Sequence, residues 1–283
     1  MKHYILNNGI KIPALGFGVF LIEDKKICIE SVVTAIQKGY RLIDTASVYM
    51  NEREVGEGIK VSGINREEIF VTSKLWLQDY GYEKTKKAID KTLQRLQLDY
   101  LDMYLQHHNF TDNLGSWKAM EEVCREGKIK AIGVCNYPIH ALKELLAVAE
   151  IKPVVNQVEC NPVFQQKELH GFLKENDIYL ESWAPLGHGN KELLSDLRLS
   201  RIADKYGKET AQIILRWHIQ EGKIAIPKST TPSRIQSNFD IWDFELTEEE
   251  MNVIRSIDTN KRMGPDPDDK EYKKRIASYV VDI

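Results

Sequence analysis

Eight short β-rich runs alternate with amphipathic helical stretches along almost the whole chain, and this alternation narrows the possible folds most. The runs are "LGFGVF" (15–20), "LIDTA" (42–46), "IFVTSKL" (69–75), "DMYLQHH" (102–108), "AIGVCN" (131–136), "VVNQVEC" (154–160), "YLESWAP" (179–185) and "IAIPKS" (224–229). Between them lie helical patterns such as "YEKTKKAIDKTLQRLQL" (82–98), with apolar side chains three and four residues apart. Another, "PIHALKELLAVAE", opens on Pro138, a residue favoured in a first helical turn. Strand–helix repeats with no break in composition predict one parallel sheet rather than two domains. Eight repeats is the number that closes a (β/α)8 barrel.

The ends of the chain depart from the repeat. "HYILNNGIKIP" predicts two short strands around an Asn-Gly turn, a hairpin over residues 1–14 that caps the barrel floor. The barrel then occupies residues 15–243. From Phe244 onward the chain is polar, with one helix in "TEEEMNVIRSID", a breaker in "GPDPDD" and an irregular tail to residue 283. The formal net charge of -3 offers no electrostatic case for nucleic acid or an anionic membrane. No apolar run approaches the roughly 18 residues of a membrane span. The first residues lack the apolar core of a signal peptide, so a cytoplasmic protein is expected. Cys28, Cys124, Cys135 and Cys160 are scattered without a C-x-x-C pair, which predicts reduced buried thiols rather than disulfides or a zinc site.

In such a barrel, reactive groups stand at the C-terminal ends of the strands. Polar residues spoil seven of the eight ends: Asp44, Lys74, His107, Asn136, Gln157, Trp183 and Lys228. Singly, an Asp–Lys pair is usually structural and a histidine is usually a satisfied polar side chain. As a set they suggest chemistry. Tyr49, just after the second strand, carries a phenol that is a weak acid at neutral pH unless a cation stabilises its anion. Lys74 is placed to be that cation, with Asp44 holding it charged. His107 is placed to bond a substrate oxygen or assist proton transfer. The combination suits protonation of an oxygen becoming an alkoxide, as in reduction of a carbonyl by hydride. Consecutive strand residues point to opposite faces, so His107 and His108 are not expected to share a metal, and no metal site is predicted.

Hydride chemistry needs a donor, yet "GFGVF" and "GEG" (56–58) are not dinucleotide-binding turns. A nicotinamide would therefore bind at the barrel mouth. Asn136 and Gln157 carry amides suited to a carboxamide, and Trp183 offers a face for ring stacking. In "IPKSTTPSRIQSN", Lys228, Ser229, Thr231 and Arg234 cluster at a strand end and helix start, which suits a phosphate and favours NADP over NAD. Read alone, that stretch is equally a charged turn.

These residues fall into motifs in the order of the aldo-keto reductase family, which the chain resembles over about residues 1 to 265. The family's "GFRxIDTAxxYxNExxVG" is matched by "GYRLIDTASVYMNEREVG", "TSKLW" stands at 72–76, and "LDxxLxH" is matched by "LDMYLQH". "GKIRAIGVSNF" becomes "GKIKAIGVCNY", "NQVExNP" stands at 156–162 and "IPKS" at 226–229. The resemblance implies a monomeric (β/α)8 barrel that reduces small-molecule aldehydes and ketones with NADP(H). It implies Tyr49 as proton donor, completed by Asp44, Lys74 and His107. It further implies a cofactor trough running from Gly18, Val19 and Asp44 through Cys135, Asn136 and Gln157 to Trp183. The trough continues along Ala184, Pro185, Leu186 and Gly187, a loop over the pyrophosphate. It ends at Ile226, Pro227, Lys228, Ser229, Thr230, Thr231, Arg234 and Asn238, around the adenosine phosphate. The substrate pocket implied is Phe20, Val48, Trp76, His107 and His108.

The chain also departs from the pattern. Cys135 replaces a common serine, Ser237 a glutamate, Phe20 a tryptophan or tyrosine, and His108-Asn109 a Trp-Pro. A more polar, roomier pocket is expected beside His108. "ESWAPLG" and the compact length look most like bacterial and protist reductases of diketo-gluconate, methylglyoxal and similar small carbonyls. Two other readings remain: a cofactor-binding regulatory barrel with little turnover, against which the intact tetrad speaks, and a hydrolase using Asp44 and His107. The hydrolase leaves Lys74, Tyr49 and the Lys228–Arg234 cluster without roles.

Overall fold

In this computed structural model, which describes residues 1–281, the chain opens with two antiparallel strands, β1 (His3–Ile5) and β2 (Lys11–Pro13). Their turn uses Gly9 at φ 85°, a conformation that favours glycine. Eight parallel strands follow: β3 (Phe17–Gly18), β4 (Leu42–Asp44), β5 (Phe70–Leu75), β6 (Leu101–Gln106), β7 (Ile129–Cys135), β8 (Val155–Glu159), β9 (Tyr179–Trp183) and β10 (Ile224–Ala225). They pair in sequential order from β3 to β10. A parallel bridge between Leu15 and Ala225 joins the first run to the last and closes the barrel.

The strands are buried on both faces, which explains their continuous apolar character; every residue of β5 and β6 is buried. Connecting helices lie outside: α1 (Lys25–Gln37), α2 (Glu52–Ser62), α3 (Tyr82–Leu96), α4 (Asn113–Arg125), α5 (Ile139–Leu146) and α6 (Lys167–Glu175). The last connection carries α7 (Lys191–Leu194), α8 (Leu197–Tyr206) and α9 (Thr210–Gln220), and α10 (Pro232–Phe239) follows β10. Most strands are shorter than the sequence runs suggest, most of all β3 and β10, where the ends of "LGFGVF" and "IAIPKS" leave the sheet as loops.

The hairpin caps the barrel floor through named bonds. Asn7 Nδ2 donates to the carbonyls of Pro153 and Asp177, Asn8 Nδ2 to Lys130 and the Tyr4 hydroxyl to Ile219, all near strand starts. Between α2, α3 and β5, Glu52 accepts from Arg95 Nε at 2.6 Å and from the Ser73 hydroxyl. This ion pair is nearly dry, with side chains 1% and 9% exposed.

After α11 (Glu248–Arg255), opened by a Thr247–Glu250 capping box, residues 256–269 are irregular. The tail then forms one further helix, α12 (Lys270–Ala277), which the breaker-rich sequence did not announce; Asp269 caps it by accepting from Tyr272 N. The tail crosses the mouth of the barrel. Glu159 at the end of β8 accepts from the backbone N–H groups of Met263 (2.7 Å) and Gly264 (3.1 Å). A side chain at position 264 would meet the Trp183 ring at 2.7 Å, so glycine lets the strap pass. On the far side Trp76 Nε1 donates to Tyr279 O, and Gln78 bonds both backbone groups of Val281. Among the described residues no helix is long and apolar enough to cross a membrane.

Candidate active site

Lys74 is a fully buried residue of β5, and its position fixes the site. Its Nζ donates to Asp44 Oδ1 at 2.6 Å and to the Thr45 carbonyl at 2.9 Å, and lies 3.4 Å from the Tyr49 hydroxyl. Register explains the first contact, since β4 and β5 are adjacent with Asp44 opposite Thr72. Tyr49 arrives on a single tight turn, Ser47–Tyr49, pinned where the Ser47 hydroxyl donates to the Lys74 carbonyl. Asn51 holds the same loop: it accepts from Thr45 Oγ1 and donates to the carbonyls of Val19 and Ile22.

The pair with Asp44 outweighs desolvation and holds Lys74 charged, its pKa raised. Tyr49 corrects one expectation. Burial pushes the phenol up, and the Lys74 charge recovers only part of that rise, so the group stands as a neutral O–H donor. That still suits the chemistry, because an alkoxide is much the stronger base and draws the proton as it forms.

His107 and His108 correct another. β6 ends at Gln106, so strand alternation no longer applies, and the two rings stack with centroids 5.2 Å apart and planes within 7°. Both face Trp76, at 5.2 and 5.9 Å. Tyr49 packs against His107 at 5.8 Å and Phe20 at 4.9 Å, while Tyr272 of the tail covers His108 at 5.9 Å. The Nδ1 atoms of both histidines are buried without a partner among the described residues. Burial, their mutual proximity and Lys74 hold His107 far below its usual range; burial and Lys273 push His108 to about 3. Val48 is half-buried beside Tyr49. Among the described residues no group of three or more His, Cys, Asp and Glu side chains is arranged to hold a metal ion.

His170 and His218, on α6 and α9, are likewise held neutral by burial and Lys223. Four histidines whose folded pKa values are depressed make stability fall as pH drops through their unfolded value of about 6.5, where only the unfolded chain takes up protons. Below that pH each contributes a loss of about 1.4 kcal/mol per pH unit. Urea unfolding at pH 7 and pH 5.5 should show this fall, which His218→Gln should lessen; equal stability at both values would contradict it.

Gln157 and Cys135 lie opposite one another on β8 and β7. Gln157 is inside β8 rather than at its end, and its amide Nε2 donates to Asp44 Oδ2 at 2.8 Å and to Glu181 Oε2 at 3.0 Å. Asn136, at φ 59°, follows β7; its amide donates to the His107 carbonyl and accepts from Trp183 Nε1 at 2.9 Å. Ala184, Pro185, Leu186 and Gly187 form the turn after β9, with positive φ at Ala184 and Gly187, and Met263 of the strap lies against Gly187. Gly18 N donates to Pro227 O and Val19 N to Asp44 O, so both line the rim beside Ile226 and Pro227. Lys228, Thr230, Thr231 and Arg234 are exposed at the start of α10, while Ser229 and Asn238 are buried beneath. Lys228 stands three residues beyond β10, and neither it nor Arg234 has a carboxylate within 4 Å among the described residues.

Three groups escaped the sequence reading: Glu181, Glu159 and Asn51. The first had a visible signal, an acid inside an apolar strand; the other two act through backbone bonds that only the folded chain creates.

A parallel barrel whose C-terminal mouth gathers the Tyr49 phenol, the Lys74 ammonium and the Asp44 carboxylate holds a candidate active site there, and similarity assigns the family. The aldo/keto reductase family model matches residues 14–259. The chain is 51% identical over 265 residues to the glyoxal reductase of Bacillus subtilis (strain 168), covering 93% of this chain and 95% of that protein. A solved aldo-keto reductase from a Medee basin deep-sea metagenome library aligns with TM-score 0.92 and 45% identity, over 94% of this chain and 98% of the other. The Bombyx mori aldo-keto reductase in complex with NADP aligns with TM-score 0.89 and 33% identity, over 93% and 95%. This chain belongs to the aldo/keto reductase family, and it is an oxidoreductase that reduces carbonyl groups with NADP(H).

Proposed function

We propose that the chain reduces small α-dicarbonyls of the glyoxal and methylglyoxal kind, with Tyr49 as proton donor. The observation that carries the residue roles is the position of the Lys74 ammonium, 2.6 Å from Asp44 and 3.4 Å from the Tyr49 hydroxyl. The substrate class rests on similarity to a glyoxal reductase. When bound, NADPH supplies a hydride from C4 of its nicotinamide. Tyr49 donates its proton to the carbonyl oxygen as negative charge builds there, and Lys74, held charged by Asp44, stabilises the phenolate left behind. Neutral His107 orients the same oxygen, and Trp76, Phe20 and His108 exclude water around it.

The donor set fits the cofactor. Two cations without carboxylate partners among the described residues, Lys228 and Arg234, stand with Ser229 and Asn238 where a phosphate needs them, and Trp183 is fixed by Asn136 as a ring platform. Arg234→Ala should weaken NADPH about tenfold or more, the worth of a charge-assisted hydrogen bond, while NADH changes little. Fluorescence titration with both cofactors checks this; equal losses would remove the phosphate assignment. We also infer a monomeric single-domain protein of the cytoplasm, a setting in which four free cysteines, three of them buried, stay reduced. The substrate class is tested by NADPH absorbance with a carbonyl panel. Glyoxal or methylglyoxal should exceed propanal in kcat/KM by about tenfold, and a preference for the simple aldehyde would overturn it.

A further inference from the structure

Glu181 is a fully buried carboxyl in the middle of β9, and nothing in the reaction described above uses it. Its Oε2 accepts from Gln157 Nε2 at 3.0 Å, and the same amide nitrogen donates to Asp44 Oδ2 at 2.8 Å. Its Oε1 is buried with no partner among the described residues. The titratable groups facing it across the barrel are Asp44 of β4, Lys74 of β5 and Cys135 of β7. β8 contributes the Gln157 amide and, two residues on, the buried Glu159, whose two oxygens accept from the backbone N–H groups of Met263 and Gly264; the paired segment of β10, Ile224–Ala225, brings no charge.

We propose that Glu181 is a positioning residue which, as a neutral acid, holds the Gln157 amide on Asp44, and that its ionisation switches the tetrad into a slower form. This rests on the roles given to Tyr49, Lys74 and Asp44.

The charge balance supplies the reason. With Glu181 neutral, the buried cluster holds one carboxylate and one ammonium. With Glu181 ionised, two carboxylates share one ammonium and one amide, and the site carries an uncompensated negative charge in a low-dielectric interior. That charge draws the amide away from Asp44 and pushes the Tyr49 phenol further up, which makes it a poorer donor. Burial and the Asp44 charge push the Glu181 carboxyl up to about 8, so the switch falls within an accessible range. Its sign is definite: the faster form exists below that value and is lost as pH rises through it.

The test is the pH profile of kcat/KM for carbonyl reduction by the full chain with saturating NADPH, in the wild type and in Glu181→Gln. Glutamine keeps the shape and the acceptor for Gln157 but cannot ionise. The wild-type rate at pH 9 should be about a tenth of that at pH 7, as expected for one ionisation near 8, while the same ratio in E181Q should stay within about twofold of one. Infrared difference spectra at pH 7 should carry a protonated-carboxyl band that E181Q lacks. Superimposable profiles, or an unchanged band, would overturn the proposal. Absence of carbonyl reduction in the wild type at pH 7 would instead overturn the roles on which it rests.

Discussion

Tyr49→Phe is expected to lower kcat for carbonyl reduction on the order of 10³-fold to 10⁴-fold, with NADPH affinity nearly unchanged. The ring persists in its packing against Phe20 and His107, so the loss is confined to one hydroxyl. That hydroxyl is the proton source beside the Lys74 ammonium, 3.4 Å away. No neighbour replaces it: Asp44 is bonded to Lys74 and Gln157, and His107 is held neutral. Steady-state rates together with quenching of protein fluorescence by NADPH separate the two effects. A variant with near-normal rates would remove Tyr49 from the role of acid.

The second large effect concerns stability. Glu52→Ala should cost about 3–5 kcal/mol in urea unfolding, because it leaves the Arg95 guanidinium buried without its partner. The carboxylate lies 2.6 Å from Arg95 Nε and also receives the Ser73 hydroxyl, so α2, α3 and β5 all lose an anchor. Burial already pushes the Glu52 carboxyl up against the pull of Arg95, which marks desolvation as the dominant force there. Replacing both partners with leucine and methionine should restore most of the loss. A single variant within 1 kcal/mol of wild type, roughly the worth of an exposed pair, would show that the buried geometry contributes little.

Glu52 also shows where sequence reading stops. It stands inside the longest family motif, three residues after Tyr49, yet its partner comes from a helix 43 residues later and its contact is structural. Strand periodicity and strand-end polarity bring Asp44 and Lys74 to the mouth, because barrel geometry converts strand ends into a common rim, and Tyr49 follows on the turn after β4. The same rule failed one residue past the strand, where His107 and His108 stack instead of diverging. Gln157 was legible as an amide but not as the link between Asp44 and Glu181, a pair 137 positions apart in the chain. The tail was least legible: its hold on the mouth depends on backbone groups of residues 263, 264, 279 and 281, which composition does not reveal.

The most direct measurement uses NADPH deuterated at the transferring C4 position, with glyoxal as the carbonyl and mass spectrometry of the alcohol. The wild type should form an alcohol carrying one deuterium on the former carbonyl carbon, and Tyr49→Phe should nearly lose it. Alcohol without deuterium, or consumption of glyoxal with no oxidation of the cofactor, would contradict it.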